Sequence, residues 1–287
     1  MFGKIFAVIL LATLCSSAFA DDAFRSVHPE ISYTNSISEA DKNILQADFF
    51  YSIRGESFDT AKLIAECCNI DSAILCYKRA ADYNTGKRRH EALWKLMQAC
   101  FYKGYYCTDR DCKDDKKLRR EAYDLAMDAG RDGLEEFPHS AELNLWMAIL
   151  WGAWADDHSP FTAAQKGVAG KIKNHCHRVL ALDPYFADAY GFSILGRLHT
   201  VTPKIPLFLG WPSKDRAIAY LEKAFEIAPD NLVNKKWLAE AYYKCDQKLR
   251  AKNLMLEILA ETDTMHGTAE DAVIKNIVRR KLNNWEF

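Results

Sequence analysis

The chain has 287 residues, of which 49% are hydrophobic and 27% charged, so it carries enough apolar mass for a large core. Its 38 Lys and Arg residues oppose 39 Asp and Glu residues, for a formal net charge of -1. This balance excludes the general electrostatic attraction that draws basic proteins to nucleic acids and anionic membranes. The 13 glycines and 8 prolines are too few for the many turns of a β-sandwich or barrel. The composition therefore predicts an all-helical protein.

Residues 1–20 have the three-part pattern of a secretory signal peptide. A basic start leads into an apolar stretch from Ile5 to Leu14, which is too short to span a bilayer. The segment ends in Ala18-Phe19-Ala20, a small-x-small cleavage pattern. We therefore expect export and removal of this segment.

The mature chain is expected to begin with a flexible polar segment, residues 21–40, and to remain soluble in the bacterial periplasm. Lipidation at Cys15 is not expected, because Leu14 stands where a small residue is required. No later stretch has the roughly eighteen uncharged apolar residues that a transmembrane helix needs.

Of the 9 cysteines, only Cys15 lies in the signal segment, which leaves an even number in a chain bound for an oxidising compartment. Disulfides are therefore reasonable, while buried free thiols in helices are the alternative. Cys107 and Cys112 flank a polar Thr-Asp-Arg-Asp segment that predicts a loop. A loop this short can bring both sulfurs together, which makes this pair the disulfide candidate.

Four helical stretches share one internal pattern, and three of them follow Pro138, Pro184 or Pro229 at a helix break. Each has a pair of residues, usually large then small, with a third residue three positions later. The pairs are Leu96-Met97, Met147-Ala148, Leu195-Gly196 and Leu238-Ala239. Such internal repeats predict a stack of similar units that bury a continuous core.

The repeats resemble the tetratricopeptide (TPR) motif, a helical hairpin of about 34 residues with a closing proline. The best match runs from Leu195 to Pro229, with Ala217, Leu221 and Ala224 at second-helix positions. Each interval exceeds the length of the motif, and most of the excess lies between the two helices of a hairpin. The resemblance implies an all-α fold, an irregular tetratricopeptide-like α-solenoid of helical hairpins.

The helical repeat domain is expected to occupy residues 41–287. It would comprise an N-terminal helical pair (about 41–83), a TPR-like core (about 86–261) and a C-terminal capping helix (about 268–285) that begins at a Thr268 cap. The inner stripe predicted for the capping helix is Val273, Ile274, Ile277, Val278 and Leu282, with Lys275, Arg279 and Lys281 solvated.

The extra length inside the repeats predicts a rim, because the turns within stacked hairpins share one edge. Its expected parts are residues 103–120, 156–161 and 201–212. The last part is a proline-rich loop that contains Phe208 and Trp211. These two aromatic residues either pack across the helices or contact a partner.

More narrowly, residues 195–199, 209–212, 215–224 and 228–232 resemble the bacterial periplasmic TPR proteins associated with TRAP transporters, the TatT-like family. The resemblance extends over about 91–261. It implies a non-enzymatic helper that meets another periplasmic protein, such as a substrate-binding protein. Eukaryotic regulators of microtubule dynamics look similar over the same stretch, but a cleavable signal peptide argues against a cytosolic tubulin partner.

The TPR resemblance also implies which residues face the binding groove. Counted from the small residue of each pair, they are Trp94, Gln98, Phe101, Leu145, Ile149, Gly152, Arg197, Thr200, Lys236, Glu240 and Tyr243. The early part is apolar and the late part charged. Such a groove suits an extended peptide, or a small amphiphile whose acidic head lies near Arg197 and Lys236. Alternatively, an N-terminal helix folds into the concavity and covers these residues.

Two clusters of chemical groups have residue types found in catalytic or metal sites, but neither pattern favours such a site. In His175-Cys176-His177, residues two apart on a helix point in different directions and cannot close on one metal ion. Asp156-Asp157-His158 is typical of a solvated turn, with acid–base work as the alternative.

No catalytic residue, metal site, cofactor or nucleic-acid partner is predicted from the sequence. A protein-binding scaffold is the first hypothesis, and a carrier of a small amphiphilic or apolar ligand in an enclosed cavity is the second. An enzyme would require two ionisable groups that converge in one cleft.

Overall fold

The computed structural model describes residues 39–202, 212–262 and 267–287, which form twelve α-helices and one two-stranded sheet. The helices are α1 (Glu39–Ser52), α2 (Cys68–Tyr83), α3 (Gly86–Tyr106), α4 (Lys113–Glu136), α5 (Ala141–Asp156), α6 (Pro160–Gln165), α7 (Val168–Leu182), α8 (Phe186–Val201), α9 (Lys214–Ile227), α10 (Leu232–Lys244), α11 (Lys248–Ala260) and α12 (Thr268–Asn284). The strands are β1 (Phe58–Asp59) and β2 (Ile64–Ala65).

The predictions on the signal segment, Cys15 and the rim residues Phe208 and Trp211 lie outside the described residues.

Consecutive helices pair into hairpins, and the hairpins stack in chain order. The pairs are α1 with α2, α3 with α4, α5 with α7, α8 with α9 and α10 with α11, and α12 packs on the last pair. The first helices of successive hairpins also contact one another along one side of the array. The prediction of an all-α solenoid of helical hairpins is confirmed.

The small residue of a repeat pair lets the two helices of a hairpin approach closely. At Gly196 in α8, an added Cβ would lie 2.4 Å from Leu221 Cγ and 3.0 Å from the Ala217 carbonyl oxygen, both in α9. The equivalent residues Ala148 and Ala239 are fully buried. Close packing of this kind fixes the rotation of each first helix about its own axis, and therefore which of its residues face inward.

The last helix joins the two ends of the array. Ala269, in the first turn of α12, belongs to the buried core formed by α1 to α5. Ile274 and Val278, one and two turns later, belong to the core of α9 to α11. The neighbouring Glu270 forms an ion pair with Arg54, just after α1, at 2.6 Å. Helix α12 therefore connects the first hairpin of the array to the last.

In the first two of the three expected rim segments much of the extra length forms helix, which corrects the prediction of long turns there, whereas most of the third segment, 201–212, lies outside the described residues. Helix α3 continues to Tyr106 and α4 begins at Lys113, so only residues 107–112 of the predicted 103–120 segment are outside a helix. In the next hairpin, the insertion contains the short helix α6. Long first and second helices can bury more apolar surface than a loop of the same length.

The N-terminal helical pair contains a feature that its sequence pattern did not predict. Between α1 and α2, β1 pairs antiparallel with β2, with Phe58 opposite Ala65. The Asp59 carboxylate accepts hydrogen bonds from the backbone N–H groups of Ala61 and Lys62 at 2.9 and 3.1 Å. These bonds close the turn of this small hairpin.

The capping helix differs from its prediction at its start and on its polar side. Its N-cap is Gly267, with φ of 134°, so Thr268 is the first helical residue and makes no capping bond. Lys275 and Lys281, which were expected to be solvated, are half-buried. Lys275 Nζ donates to the Glu261 carbonyl oxygen at 2.7 Å, and Lys281 faces the inner side of α10.

Helix α8 begins with a left-handed turn. Ala187, Asp188 and Ala189 have φ of 49°, 57° and 60°, a conformation that costs free energy for residues other than glycine. The side chains of Asn231 and Asn234 hydrogen-bond to Asp188, both at 3.1 Å. These hydrogen bonds from the next hairpin stabilise the turn that sets the direction of α8.

Candidate functional site

The concave face is the inner side of the array, formed by the first helices α3, α5, α8 and α10. The predicted groove residues of the described helices lie on these four elements. At its late end, four charged residues from three helices come together: Arg197 of α8, Lys236 and Glu240 of α10, and Lys281 of α12. We call these four residues the charged cluster.

Glu240 is the only carboxylate of the charged cluster and is shared by two cations. It is 5% exposed, and its Oε2 accepts a hydrogen bond from Arg197 Nη1. Lys281 Nζ lies 3.6 Å from its Oε1. Arg197 was expected to read an external anion, but its guanidinium already has an internal partner.

Lys236 is largely buried in the charged cluster and has no direct ion-pair partner. It is 9% exposed, and within the described residues its Nζ makes no hydrogen bond or ion pair. Burial lowers the pKa of Lys236 to about 8, and the charges of Arg197, Lys281 and Arg110 act in the same direction against the opposing effect of Glu240. Asp156 is a second carboxylate whose charge interacts with Lys236 and Arg197, so these cations still outnumber the carboxylates.

Aromatic rings form the apolar part of this site. Trp237 is central, because its ring centroid lies 6.1 Å from that of Tyr190. The Lys236 ammonium and the Arg197 guanidinium are 5.8 and 6.0 Å from the same indole ring. Burial raises the pKa of Tyr190 above its ordinary value, so its hydroxyl stays protonated at neutral pH. The site therefore combines cations with a desolvated aromatic surface.

At the early end of the concave face, the predicted groove residues pack among themselves and against the N-terminal helices. The Phe101 ring lies 5.8 Å from that of Trp146 and 5.4 Å from that of Tyr105. Trp94 is partly buried against the first core, and its neighbour Lys95 forms an ion pair with Asp48 of α1 at 2.8 Å. Helix α1, the first helix of the preceding hairpin, thus contacts this end of the array.

The remaining groove candidates differ in their surroundings. Gln98 is half-buried on α3. Ile149 packs, partly buried, on the core of α5, α7 and α8. Tyr243 stacks on Trp285 at 3.8 Å between ring centroids, so the C-terminal end of the chain covers it. The structure therefore places Lys236, Arg197 and Glu240 in one cluster, and Trp94, Phe101 and Tyr243 in separate packing contacts.

The Asp156-Asp157-His158 segment is a structural junction. Both carboxylate oxygens of Asp157 accept from Arg119 Nε, at 2.9 and 2.8 Å, and these two side chains are 8% and 4% exposed. His158 Nδ1 lies 2.7 Å from the Trp154 carbonyl oxygen, and its ring stacks on Trp154. Asp157 is thus a buried ion-pair partner, where a solvated turn was expected.

The residues of the His175-Cys176-His177 motif point to different surroundings. Cys176 is fully buried, His175 Nδ1 lies 2.9 Å from Asn144 Oδ1, and His177 is exposed. Across residues 39–202, 212–262 and 267–287, no group of three or more His, Cys, Asp or Glu side chains could hold a metal ion.

Cys107 and Cys112 are both free thiols in the structure. Cys107 is buried at the end of α3, where its sulfur lies 3.9 Å from the Glu66 carbonyl oxygen. Cys112 is half-exposed at the start of α4. The candidate disulfide between them is not formed.

Sequence reasoning missed Lys281 and Tyr190 as members of the site. Lys281 was assigned to the solvated side of α12, because a helical period separates polar from apolar faces without showing what each face meets. Tyr190 lies outside the groove positions of the TPR pattern. Its only sequence signal is an aromatic residue in the first turns of a repeat helix.

None of the helices in the described ranges is both long and apolar enough to cross a membrane.

Comparison with known proteins agrees with the repeat fold. The crystal structure of TTC0263, a thermophilic TPR protein of Thermus thermophilus, superposes with a TM-score of 0.57 and 14% sequence identity, over 85% of this chain and 99% of that chain. No curated protein matches the chain by sequence. At this identity the likeness shows the fold alone.

At the level of families, the sequence model "Regulator of microtubule dynamics protein 1-3" matches residues 57–285, from the first small strand to the end of the capping helix. The TRAP-transporter-associated family, which the sequence also resembles, is not confirmed. The match covers every described helix and strand except α1. The chain therefore belongs to the family of regulators of microtubule dynamics 1 to 3.

Proposed function

We propose that this protein is a non-enzymatic binding scaffold whose concave face captures an acidic group of a partner protein, with Lys236 as the central contact. The observation that carries this proposal is the largely buried Lys236 side chain, whose Nζ makes no hydrogen bond or ion pair among the described residues. A buried, unpaired charge costs free energy in the unbound protein. An incoming carboxylate would recover that free energy, and the recovered amount would contribute to binding.

Glu240, the carboxylate of the charged cluster, cannot by itself neutralise Lys236. Glu240 already interacts with Arg197 and Lys281, so three cations share one negative charge. The net charge of the chain is -1, which gives no general attraction for anions. Binding of an acidic group would therefore depend on this local excess of positive charge, and not on the charge of the whole protein.

An acidic segment of a protein is the occupant that the fold favours. TPR-like arrays present the inner faces of their first helices to partners, and the charged cluster lies on that face. Trp237 and Tyr190 would supply apolar contacts next to the bound carboxylate. The second candidate, a small amphiphile with an acidic head group, is favoured by the same juxtaposition of aromatic rings and a desolvated ammonium.

The cellular setting is also part of the proposal. The signal-like segment 1–20 would place the protein in the bacterial periplasm, where the partner would be another exported protein, such as a transporter's substrate-binding protein. Microtubules, to which the family name refers, would then not be its partner. Fractionation and the intact mass of the exported protein test this directly, since cleavage would place Asp21 at the N-terminus. Full-length protein in the cytosol would contradict the proposed setting.

The binding role is tested with a fluorescent ten-residue peptide of glutamate, titrated into wild type and into Lys236→Met. We expect at least tenfold weaker binding by Lys236→Met, because methionine keeps the length of the side chain and removes its charge. Lys223→Met is the matched control, since Lys223 is an exposed lysine of the outer helix α9. Equal affinity of wild type and Lys236→Met would overturn the proposal.

A parallel titration with a single-chain fatty acid distinguishes the two occupants. Tighter capture of the fatty acid than of the peptide, with the same dependence on Lys236, would assign the face to an amphiphile and make the protein a carrier.

A further inference from the structure

We propose that Cys67 and Cys107 form a redox-active pair, which closes to a disulfide by exchange with a small-molecule disulfide such as oxidised glutathione. Cys67 directly precedes α2 and Cys107 directly follows α3, so the two residues lie at neighbouring helix ends. They are 40 positions apart in sequence. This inference does not depend on the concave face.

The two residues are in direct contact. Cys67 Sγ lies 3.7 Å from the Cys107 carbonyl oxygen, and Cys107 Sγ lies 3.9 Å from the carbonyl oxygen of Glu66, the residue before Cys67. Thus the Cys67 sulfur faces the backbone of Cys107, and the Cys107 sulfur faces the backbone of the residue before Cys67, so the two thiols occupy adjoining positions.

The surroundings give the two sulfurs different reactivities. Interaction with the neighbouring Cys107 thiol lowers the pKa of Cys67, and the charge of Lys103 acts in the same direction against burial and Asp71. The interaction with Cys67, together with burial, raises the pKa of Cys107 well above its ordinary value. Cys67 is half-exposed whereas Cys107 is 8% exposed. Cys67 is therefore the attacking thiolate and Cys107 the resolving thiol.

The reaction balances as two successive thiol–disulfide exchanges. The Cys67 thiolate attacks one sulfur of oxidised glutathione, which forms a mixed disulfide and releases one glutathione thiolate. Cys107 then loses its proton to solvent and attacks Cys67 Sγ, which breaks the mixed disulfide and releases the second glutathione thiolate. The two protein thiols are oxidised, and one oxidised glutathione is reduced to two molecules of glutathione.

The neighbouring cysteines are less suited to this role. Cys100 is fully buried, and burial raises its pKa to about 12. Cys112 is half-exposed at the start of α4, and Cys68 is exposed one residue after Cys67. In the described part of the chain, neither of these two sulfurs hydrogen-bonds to the backbone at or beside another cysteine, as those of Cys67 and Cys107 do. The contacts therefore favour Cys67 and Cys107 as the pair. A disulfide between them would link the first hairpin to the second.

The pairing can be mapped by oxidising the purified full-length protein with oxidised glutathione, quenching in acid, alkylating free thiols and digesting with trypsin. Trypsin separates the candidates, because Cys107 lies in the peptide 104–110 and Cys112 in the peptide 111–113. We expect peptide 104–110 to be linked to peptide 63–78, which contains Cys67. A link between peptides 104–110 and 111–113 would overturn the proposal. It would also be overturned if every cysteine remained a free thiol after prolonged incubation with oxidised glutathione.

Variants assign the link to individual sulfurs. Cys67→Ser and Cys107→Ser should abolish the linked peptide, whereas Cys68→Ser and Cys112→Ser should retain it. Cys107→Ser should instead accumulate a glutathionyl group on Cys67. Oxidation should also raise the melting temperature of wild type and of Cys112→Ser, but not that of Cys67→Ser. Loss of the link in Cys68→Ser but not in Cys67→Ser would contradict the assignment.

Discussion

Arg54 and Glu270 are 216 positions apart in the sequence, yet Arg54 Nε and Nη2 both donate to Glu270 Oε1, at 3.1 and 2.6 Å. The guanidinium also lies over the ring of Tyr51, at 4.3 Å from its centroid. In an open solenoid each repeat contacts only its neighbours. Here the connection within the first hairpin, just after α1, instead binds the start of the capping helix, so the first and last hairpins of the array support each other.

Glu270→Ala should lower the free energy of unfolding by about 1.5 to 3 kcal/mol, because it leaves a largely buried guanidinium without its carboxylate. Urea denaturation followed by circular dichroism measures the change. Asp128→Ala is the control, since the Asp128–Arg131 ion pair is exposed and should contribute less than about 1 kcal/mol. Equal losses of unfolding free energy in the two variants would show that the Arg54–Glu270 ion pair does not stabilise the array.

Gly196→Ala should destabilise the protein by about 1 to 3 kcal/mol, because the new methyl group would overlap Leu221. Gly152→Ala is a matched control in the helix interior of α5, where an added Cβ meets no atom within 4 Å. There alanine should stabilise the helix by up to about 1 kcal/mol. Thermal unfolding of both variants provides the measurement. Opposite signs are expected, and a shared sign would refute the close approach at Gly196.

Asp157→Asn should cost about 3 to 5 kcal/mol, because it leaves the buried Arg119 cation without a charged partner. Asp156→Asn is its neighbour and control, since Asp156 is exposed and its oxygen lies 4.0 Å from Arg110. We expect that change to shift stability by less than about 1 kcal/mol. Chemical unfolding of both variants distinguishes the junction from the solvated turn predicted from sequence.

Lys236 should make stability depend on pH above neutrality. Its folded pKa of about 8 lies below the ordinary lysine value, so the unfolded chain binds the proton more tightly. Below pH 8 both states are protonated, and the full cost of burying the charge is present. As the pH rises from about 8 towards 10.4, the folded protein releases the proton first, and the free energy of unfolding increases.

The measurement compares Lys236→Met with wild type at pH 7 and pH 10 by urea unfolding. At pH 7 the variant should be the more stable protein, by up to about 3 kcal/mol. This difference should shrink at pH 10, while the other titrating groups cancel in the comparison. Capture of the acidic peptide by wild type should weaken over the same pH range. Parallel stability profiles of the two proteins would show that Lys236 is not desolvated.

The repeat fold could be predicted because its causes are local in sequence. The prolines at 138, 184 and 229 mark helix ends, and residues such as Gly196 recur where two helices must approach. The same short-range pattern placed Arg197, Lys236 and Glu240 on the inner faces of α8 and α10. Periodicity and helix breaks therefore suffice to predict the hairpins and many of the residues on the concave face.

Features that depend on distant partners were not predictable in this way. The partner of Arg119 is Asp157, in the next hairpin, and nothing within either segment indicates the pairing. Lys281 looks like a solvated lysine until α12 is placed against Glu240. The expected pairing of Cys107 with Cys112 followed chain proximity, whereas the fold brings Cys67 to Cys107. Electrostatic partners are selected by tertiary packing, which a single helical period does not encode.

The position of Ala269 in the first core has a consequence for the order in which the protein can fold. A chain emerges from the ribosome with its N-terminus first, so the hairpins of α1 to α5 appear before α12. Their core contains a residue from α12 and remains incomplete until that helix has been synthesised. Completion of the first core therefore depends on a helix made more than a hundred residues later, and a chain stalled before α12 leaves an apolar gap in the first core.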